Sequence, residues 1–368
     1  MSKVHIYDIE TLPNIFCLVA KDINTEQIYT FEISCRVNQV DRLVKYLSSP
    51  GLKHIGYNSI SFDYPVIHWL LNNWYKYKSI DELVNAIHQY ANYIIGLEYS
   101  AVRDRDVKIP QLDLYKIWHF DNKAKATSLK ALEIAMRMET VQDLPFGSKE
   151  KVPLEYFDDV ISYCINDVEA TYQFYLESKN EIVLRQDLSK EHELDLINAN
   201  DPKIGEQIFL SKLAKEMKVS IWDLRKMRTY VDKLEFNKYI LDIIKFKTPE
   251  LNTLLNKIKS FTTRDTKGSF HYSAKLGDFT IDYGQGGLHG CIAPGVYTSD
   301  EDTVILDLDV ASFYPNLAIV NNIRPRHLGE AFSKIYKDMY FKRKSIPKSD
   351  SRNYGLKIAL NGSFGLVI

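Results

Sequence analysis

Asp8 and Glu10 stand two residues apart in Tyr7-Asp8-Ile9-Glu10-Thr11, at the end of the apolar run Val4–Ile9. Side chains two apart on a strand point to the same face, so a strand here sets two carboxylates side by side. Adjacent carboxylates repel unless a cation neutralises them. The pair therefore reads as an exposed edge or as a divalent-metal site. Two more acidic features follow. One is Asn58-Ser59-Ile60-Ser61-Phe62-Asp63; the other is Tyr163-Cys164-Ile165-Asn166-Asp167, where Tyr163 and Asp167 share a helix face. Asp8, Glu10, Asp63 and Asp167 together offer hard oxygen ligands. Phosphodiester hydrolysis by two ions about 3.5–4 Å apart uses such a set.

Chemistry-bearing residues also gather in the second half. Asp307 and Asp309 lie in the apolar run Val304–Val310, ahead of Ser312-Phe313-Tyr314-Pro315. Tyr283-Gly284-Gln285-Gly286-Gly287 is glycine-rich and by itself reads as a β-turn. Lys357, Asn361 and Phe364 fall at i, i+4 and i+7 of a helical pattern. From Ala331 to Lys357 there are eight Lys/Arg against two acids. That excess marks a phosphate-binding face, a solvated helix being the plainer alternative.

The elements that must position these residues can be read in order. Val4–Ile9, Ile15–Lys21 and Gln27–Ile33 read as strands, with a turn at Asp22–Thr25. Asn38 is placed to cap a helix carrying Val40, Leu43, Val44 and Leu47 on one face, and His54–Tyr57 reads as a short strand. Consecutive strands with a helical crossover predict an α/β domain with a mixed sheet. A strand is expected near Gln111–Tyr115, and helices over Ser128–Met138 and Leu154–Leu176. Ile182–Ile258 reads as mostly helical, Ile221–Phe246 with strong periodicity. Asp278–Tyr283, Leu288–Tyr297 and Thr303–Asp309 read as strands, and Ala331–Lys344 and Ser351–Phe364 as helices around Pro347.

At 368 residues the chain is longer than one hydrophobic core usually grows. Its 45% hydrophobic and 26% charged content is ordinary for a soluble globular protein. No apolar run approaches the roughly 20 residues that span a bilayer, so no membrane partner is expected. Met1–His5 lacks the hydrophobic stretch of a signal peptide. Four scattered cysteines without a C-x-x-C pair argue against a zinc site or a disulfide framework. A reduced, cytoplasmic location is the expectation.

In their order and spacing the three acidic motifs resemble the Exo I, Exo II and Exo III motifs of the 3′→5′ proofreading exonuclease in family B DNA polymerases. The resemblance implies a ribonuclease H-like exonuclease domain working with two Mg²⁺ (or Mn²⁺) ions. By that resemblance Asp8 bridges both ions, Glu10 and Asp167 help hold the one carrying the attacking water, and Tyr163 orients that water. Asp63 completes the carboxylate set. Thr11, Leu12, Asn58 and Phe62 would hold the frayed single-stranded 3′ end, with Leu12 and Phe62 packing on bases. Core packing is the alternative for those two.

The resemblance continues downstream. Val304–Pro315 is similar to motif A, in which Asp309 follows a buried strand as a polymerase metal ligand. Ser312, Phe313 and Tyr314 would form the nucleotide-binding turn, with Tyr314 beneath the incoming sugar. Asp307 shares the strand face of Asp309. Tyr283, Gly286 and Gly287 resemble the Y-x-G-G loop that approaches DNA phosphates. Lys357–Gly365 resembles motif B, with Gly362 in place of Ser and Phe364 in place of Tyr. Lys357 would contact the dNTP phosphates and Asn361 its base or sugar, while Arg343, with Lys342 and Lys344, would bind the triphosphate.

The implied organisation is an exonuclease domain at 1–180, a helical connecting region at 181–260, the start of a palm at 261–329 and fingers helices at 330–368. After Asp309 the only acids are Glu330, Asp338 and Asp350, and no D-T-D hairpin (motif C) or thumb follows. One carboxylate cannot position both ions for nucleotidyl transfer. The short spacing from Asp309 to Lys357 leaves little room for the insertion of protein-primed relatives. The expectation is a phage-type polymerase portion, acting in the host cytoplasm if phage-encoded. It would proofread single-stranded 3′ ends, and extend a primer-template only with a complementing C-terminal fragment. A stand-alone 3′→5′ nuclease and a non-catalytic DNA-binding half of a split polymerase are the competing readings.

Overall fold

The computed structural model describes residues 3–97, 100–144, 146–264, 271–284 and 287–366. Strands β1 (Lys3–Leu12), β2 (Ile15–Asp22) and β3 (Ile28–Ser34) form an antiparallel meander. Between β2 and β3, Asp22 Oδ1 accepts the amides of Asn24 and Thr25 at 2.8 and 3.1 Å, an Asx-type turn. Helix α1 (Val40–Leu47) buries Val40, Leu43 and Leu47 and leads into β4 (Leu52–Gly56), which pairs parallel to β1. Helices α2 (Asp63–Asn73) and α3 (Ile80–Ile95) precede β5 (Gln111–Asp113), parallel to β4. The sheet order β3-β2-β1-β4-β5 places β1 at the centre of a mixed sheet, as the sequence predicts.

Alternation along β1 divides the chemistry from the scaffold. Tyr7 and Ile9 enter one core with Phe16, Leu18, Phe31 and the apolar faces of α1 to α3. Ile6 and Leu12 enter the opposite core with Cys17 and Val19. Asp8 pairs with Val19 and Glu10 with Cys17, so both carboxylates point to this second face. The elements covering it are α4 (Leu114–Ile117), α5 (Leu129–Met136) and α6 (Phe157–Glu177), the last burying Phe157, Val160, Cys164 and Val168.

The chain continues through α7 (Lys179–His192), α8 (Asp201–Met217), α9 (Ile221–Lys226), β6 (Leu234–Glu235), α10 (Pro249–Lys259) and β7 (Thr262–Thr263). A three-stranded sheet of β8 (His271–Leu276), β9 (Phe279–Gly284) and β10 (Gly287–Cys291) follows, then α11 (Phe313–Val320), α12 (Gly329–Lys344) and α13 (Ser351–Leu366). A third core joins Leu188 of α7, Ile208 and Phe209 of α8, Phe332 and Tyr336 of α12 and Leu360 of α13. A Cβ on Gly205 would fall 2.5 Å from the Ile358 carbonyl, and one on Gly362 3.2 Å from that of Pro202. Glycine at both positions lets α8 and α13 cross this closely, which gives a packing reason for Gly362. Buried Arg185 joins this region to the sheet domain, donating to the carbonyls of Ile117 and Ala199 and to Asp201.

Three expectations fail. The periodic stretch Ile221–Phe246 is α-helical only to Lys226, with a single 3₁₀ turn at Phe236–Lys238. An amphipathic helix draws its stability from packing its apolar face; Ile221, Leu224 and Met227 pack on the third core, whereas Tyr230, Tyr239 and Ile243 stay exposed. Leu288–Tyr297 pairs only as far as Cys291. Thr303–Asp309 forms no strand, and Val304, Leu306 and Leu308 are 73%, 70% and 86% exposed. Among the described residues no strand lies alongside to complete a ladder, and a strand is not stable without one. No helix among the described residues is long and apolar enough to cross a membrane.

Candidate active site

Asp8 and Glu10 on β1 meet Asp167 on α6, each offering a carboxylate oxygen, with all three atoms within 4.8 Å of one another. These residues could hold a metal ion. Asp63 arrives from a third direction as the first residue of α2, where the helix dipole favours an anion. Its Oδ1 accepts the Ile9 amide at 3.2 Å, tying α2 to β1 between the two strand carboxylates. Tyr163 lies one turn before Asp167, and its hydroxyl is near enough to that carboxylate to lower its proton affinity. Behind the site the Cys164 thiol donates to Asp8 Oδ2 at 3.6 Å.

Crowding and burial set the electrostatics. Burial lifts Asp8 well above the usual carboxylate range, and Asp63, Asp167 and Glu10 add to it by repulsion. Burial, then Asp167 and Asp63, push Glu10 up to about 8. Asp63 and Asp167 are each pushed up to about 7, burial leading in both; Glu133, which accepts from Asn166 Nδ2 at 3.0 Å, adds repulsion on Asp167. Among the described residues no Lys or Arg pairs with any of the four. Asp8, Glu10 and Asp167 nonetheless remain half-buried, open to a cleft. Hard anionic oxygens without a protein cation suit a divalent ion.

The cleft encloses about 510 Å³ and is lined by Asp8, Glu10, Asn58, Phe62, Asp63 and Asp167. Asn58 takes a left-handed turn with φ 58°, a conformation that Asn tolerates. Tyr57, Tyr115 and residues 126–129 also line the cleft, the Tyr57 hydroxyl donating to the Thr127 carbonyl and its ring meeting Tyr115 edge-on. These residues were not singled out by the sequence reading. Their one signal, Ser128, shows there only as a helix start, and it does cap α5 by accepting from the Ala131 amide. Leu12 corrects an expectation: it is 2% exposed and belongs to the core, because its place on β1 turns it under α6. Thr11 is half-buried, its carbonyl 3.2 Å from His88 Nδ1, and it does not line the cleft.

A second cleft of about 730 Å³ brings together Asp309, Ser312, Phe313, Tyr314, Arg343, Lys357 and Asn361. Ser312 sits at φ 53° ahead of α11, making the turn that separates Asp309 from Tyr314. Lys348, Asn353 and Tyr354 also line it, and Asn353 accepts from Arg343 Nε at 3.3 Å. Asp309 is the only carboxylate in this lining, and it follows an exposed segment instead of a buried strand. Lys342 turns away to Glu191 at 3.4 Å, whereas Lys344 reaches a small adjoining pocket with Arg343. Asp307 is exposed and shares no strand with Asp309. Tyr283 and Gly287 sit on the β9–β10 hairpin and line neither cleft; Gly286 lies outside the described residues.

No protein-family model matches the chain, and no curated protein matches it.

Proposed function

We propose that the chain is the proofreading portion of a family B DNA polymerase, with a ribonuclease H-like 3′→5′ exonuclease in its first domain. The observation that carries this reading is the convergence of Asp8, Glu10 and Asp167 within 4.8 Å on the central strand and α6. Asp63 joins them at the same cleft. Two Mg²⁺ or Mn²⁺ ions fit this donor set. When bound, such ions supply an activated water and neutralise the departing oxygen of a phosphodiester. The chain's own groups do the rest. Tyr163, beside Asp167, holds a water at the carboxylates. Phe62 stacks on a base at the strand end and Asn58 bonds beside it, with Tyr57 and Tyr115 in the same lining.

The basic cleft reads as a site for nucleotide phosphates, through Arg343 and Lys357, with Asn361 near the base or sugar. Asp309 alone cannot position two ions for nucleotidyl transfer. Beside Asp309 the apolar segment Val304–Val310 is exposed, as a strand is before a neighbouring strand covers it. DNA synthesis on a primer-template is therefore proposed to need a second carboxylate beside Asp309, which the lining of this cleft does not contain. The experiment is a pair of assays on this chain with Mg²⁺. A 5′-labelled single strand is expected to shorten stepwise from its 3′ end, and a primed template is expected to remain unextended. Absence of shortening overturns the nuclease reading; templated synthesis overturns the need for a second carboxylate beside Asp309.

A further inference from the structure

Outside the four carboxylates, two buried acids stand behind the acidic cleft, Glu133 beside Asp167 and Asp113 beside Asp63. Asp113 ends β5 and is 0% exposed. Its Oδ1 accepts the amides of Asn58 at 2.9 Å and Tyr115 at 3.0 Å, and its Oδ2 accepts the amide of Ile60 at 3.0 Å. The Tyr115 bond is an ordinary helix cap for α4. The other two reach across to a loop more than fifty residues earlier and serve no cap. That loop runs from Tyr57 to Phe62, turns left-handed at Asn58, and delivers Asn58, Phe62 and Asp63 to the cleft.

We infer that Asp113 is a positioning residue for the acidic cleft, clamping the Tyr57–Phe62 loop so that Asp63 and Phe62 face Asp8 and Glu10. The inference rests on the nuclease reading for its activity arm only. Asp113 is itself braced. Its amide donates to Asn198 Oδ1 at 2.8 Å, and Asn198 Nδ2 donates to the Gln111 carbonyl at 2.8 Å. The Asn198 amide thus satisfies the outer edge of β5 as a sixth strand would. A chain from Asn198 through Asp113 to the Asn58 loop links the segment before α8 to the cleft.

The test compares the parent with Asp113→Asn and Asp113→Ser. Serine keeps a capping oxygen but cannot reach both loop amides. Asparagine keeps Oδ1 and sets an N–H against that of Ile60. Displacing a catalytic group by about 1 Å costs about 100-fold in rate, so kcat for 3′-end hydrolysis is expected to fall by that order in Asp113→Ser and less in Asp113→Asn. KM for a single strand is expected to rise in both, because Asn58 and Phe62 are released with Asp63. Parental kcat and KM in a folded Asp113→Asn overturn the inference. Amide hydrogen exchange gives the readout that needs no activity. In the parent, the Asn58 and Ile60 amides are expected to exchange slowly despite lying in a loop; rapid exchange there overturns the clamp even if both variants fail to fold. If the parent shows no nuclease activity, the nuclease reading fails, and exchange at these two amides decides the role of Asp113 alone.

Discussion

The two clefts differ in the sign of the charge they hold. At β1 and α6, four carboxylates converge with no cation from the protein among the described residues, and burial with mutual repulsion raises their proton affinity. At α12 and α13, one exposed carboxylate faces Arg343, Lys348 and Lys357. By charge, the first cleft suits a cation and the second an anion. The difference also lies in support. The acidic ligands stand on a central strand and a long helix, locked by the cores on both faces of the sheet. Asp309 stands at the end of a segment with no strand beside it among the described residues. A metal centre needs ligands fixed before the ion arrives, and only the first cleft has them.

Four outcomes sharpen or break this contrast. The largest concerns scaffold against substrate contact in the acidic cleft. Leu12→Ala removes a buried side chain from the core and is expected to lower stability by about 2–5 kcal/mol. Single-strand affinity of the folded fraction should stay at the parental value; denaturant unfolding and oligonucleotide titration measure the two separately. A loss of affinity without a loss of stability would return Leu12 to the substrate.

Next is the pH dependence of the metal response. Glu10 is raised from 4.5 to about 8, and Asp63 and Asp167 from 3.8 to about 7. A carboxylate raised on folding stabilises the fold below its unfolded value and loses that contribution as pH climbs through its folded value. Metal-free stability is therefore expected to fall from about pH 4 to pH 8 through these groups. A divalent ion replaces the lost protons, so its stabilisation grows over the same window. At 100 times its dissociation constant an ion adds about 2.7 kcal/mol. Thermal unfolding with and without Mn²⁺ at pH 5.5 and 8 reads this directly. An equal metal shift at both values, or a shift that survives in Glu10→Gln with Asp8→Asn, contradicts the account.

Phe62→Ala comes third. Base stacking on an aromatic is worth about 1–3 kcal/mol, so single-strand binding, measured in an Asp8→Ala background to prevent cleavage, is expected to weaken by that amount with little change in unfolding. The smallest effect lies in the basic cleft. Arg343→Ala or Lys357→Ala is expected to weaken nucleoside triphosphate binding by up to about 1 kcal/mol each, because the cleft is open to solvent. Added salt should erase the difference. A contribution that resists salt would mean a closed site.

Much of the acidic cleft was legible because it depends on local spacing. The alternation of Asp8 and Glu10 and the one-turn offset of Tyr163 and Asp167 place each pair on one face whatever the tertiary fold. The mixed sheet followed from consecutive strands around a crossover. What escaped depends on partners distant in sequence. Leu12 carries the same residue type in a core as on a base, and only the packing of α6 decides. Asp113 and Glu133 looked like ordinary acids until the amides of Asn58 and Ile60, and the Asn166 side chain, came beside them. Thr303–Asp309 carried a strand's composition without a strand's neighbour, and composition cannot supply the ladder.

The central claim is that the β1–α6 cleft is a metal-dependent 3′→5′ exonuclease site. A 5′-labelled single-stranded oligonucleotide, incubated with Mg²⁺ and either the parent or the Asp8→Ala/Glu10→Ala variant, tests it most directly. The account predicts a ladder of products shortened from the 3′ end with the parent, abolished by chelating the metal and absent in the folded variant. Degradation by the variant at the parental rate, or a ladder that persists without metal, would contradict it.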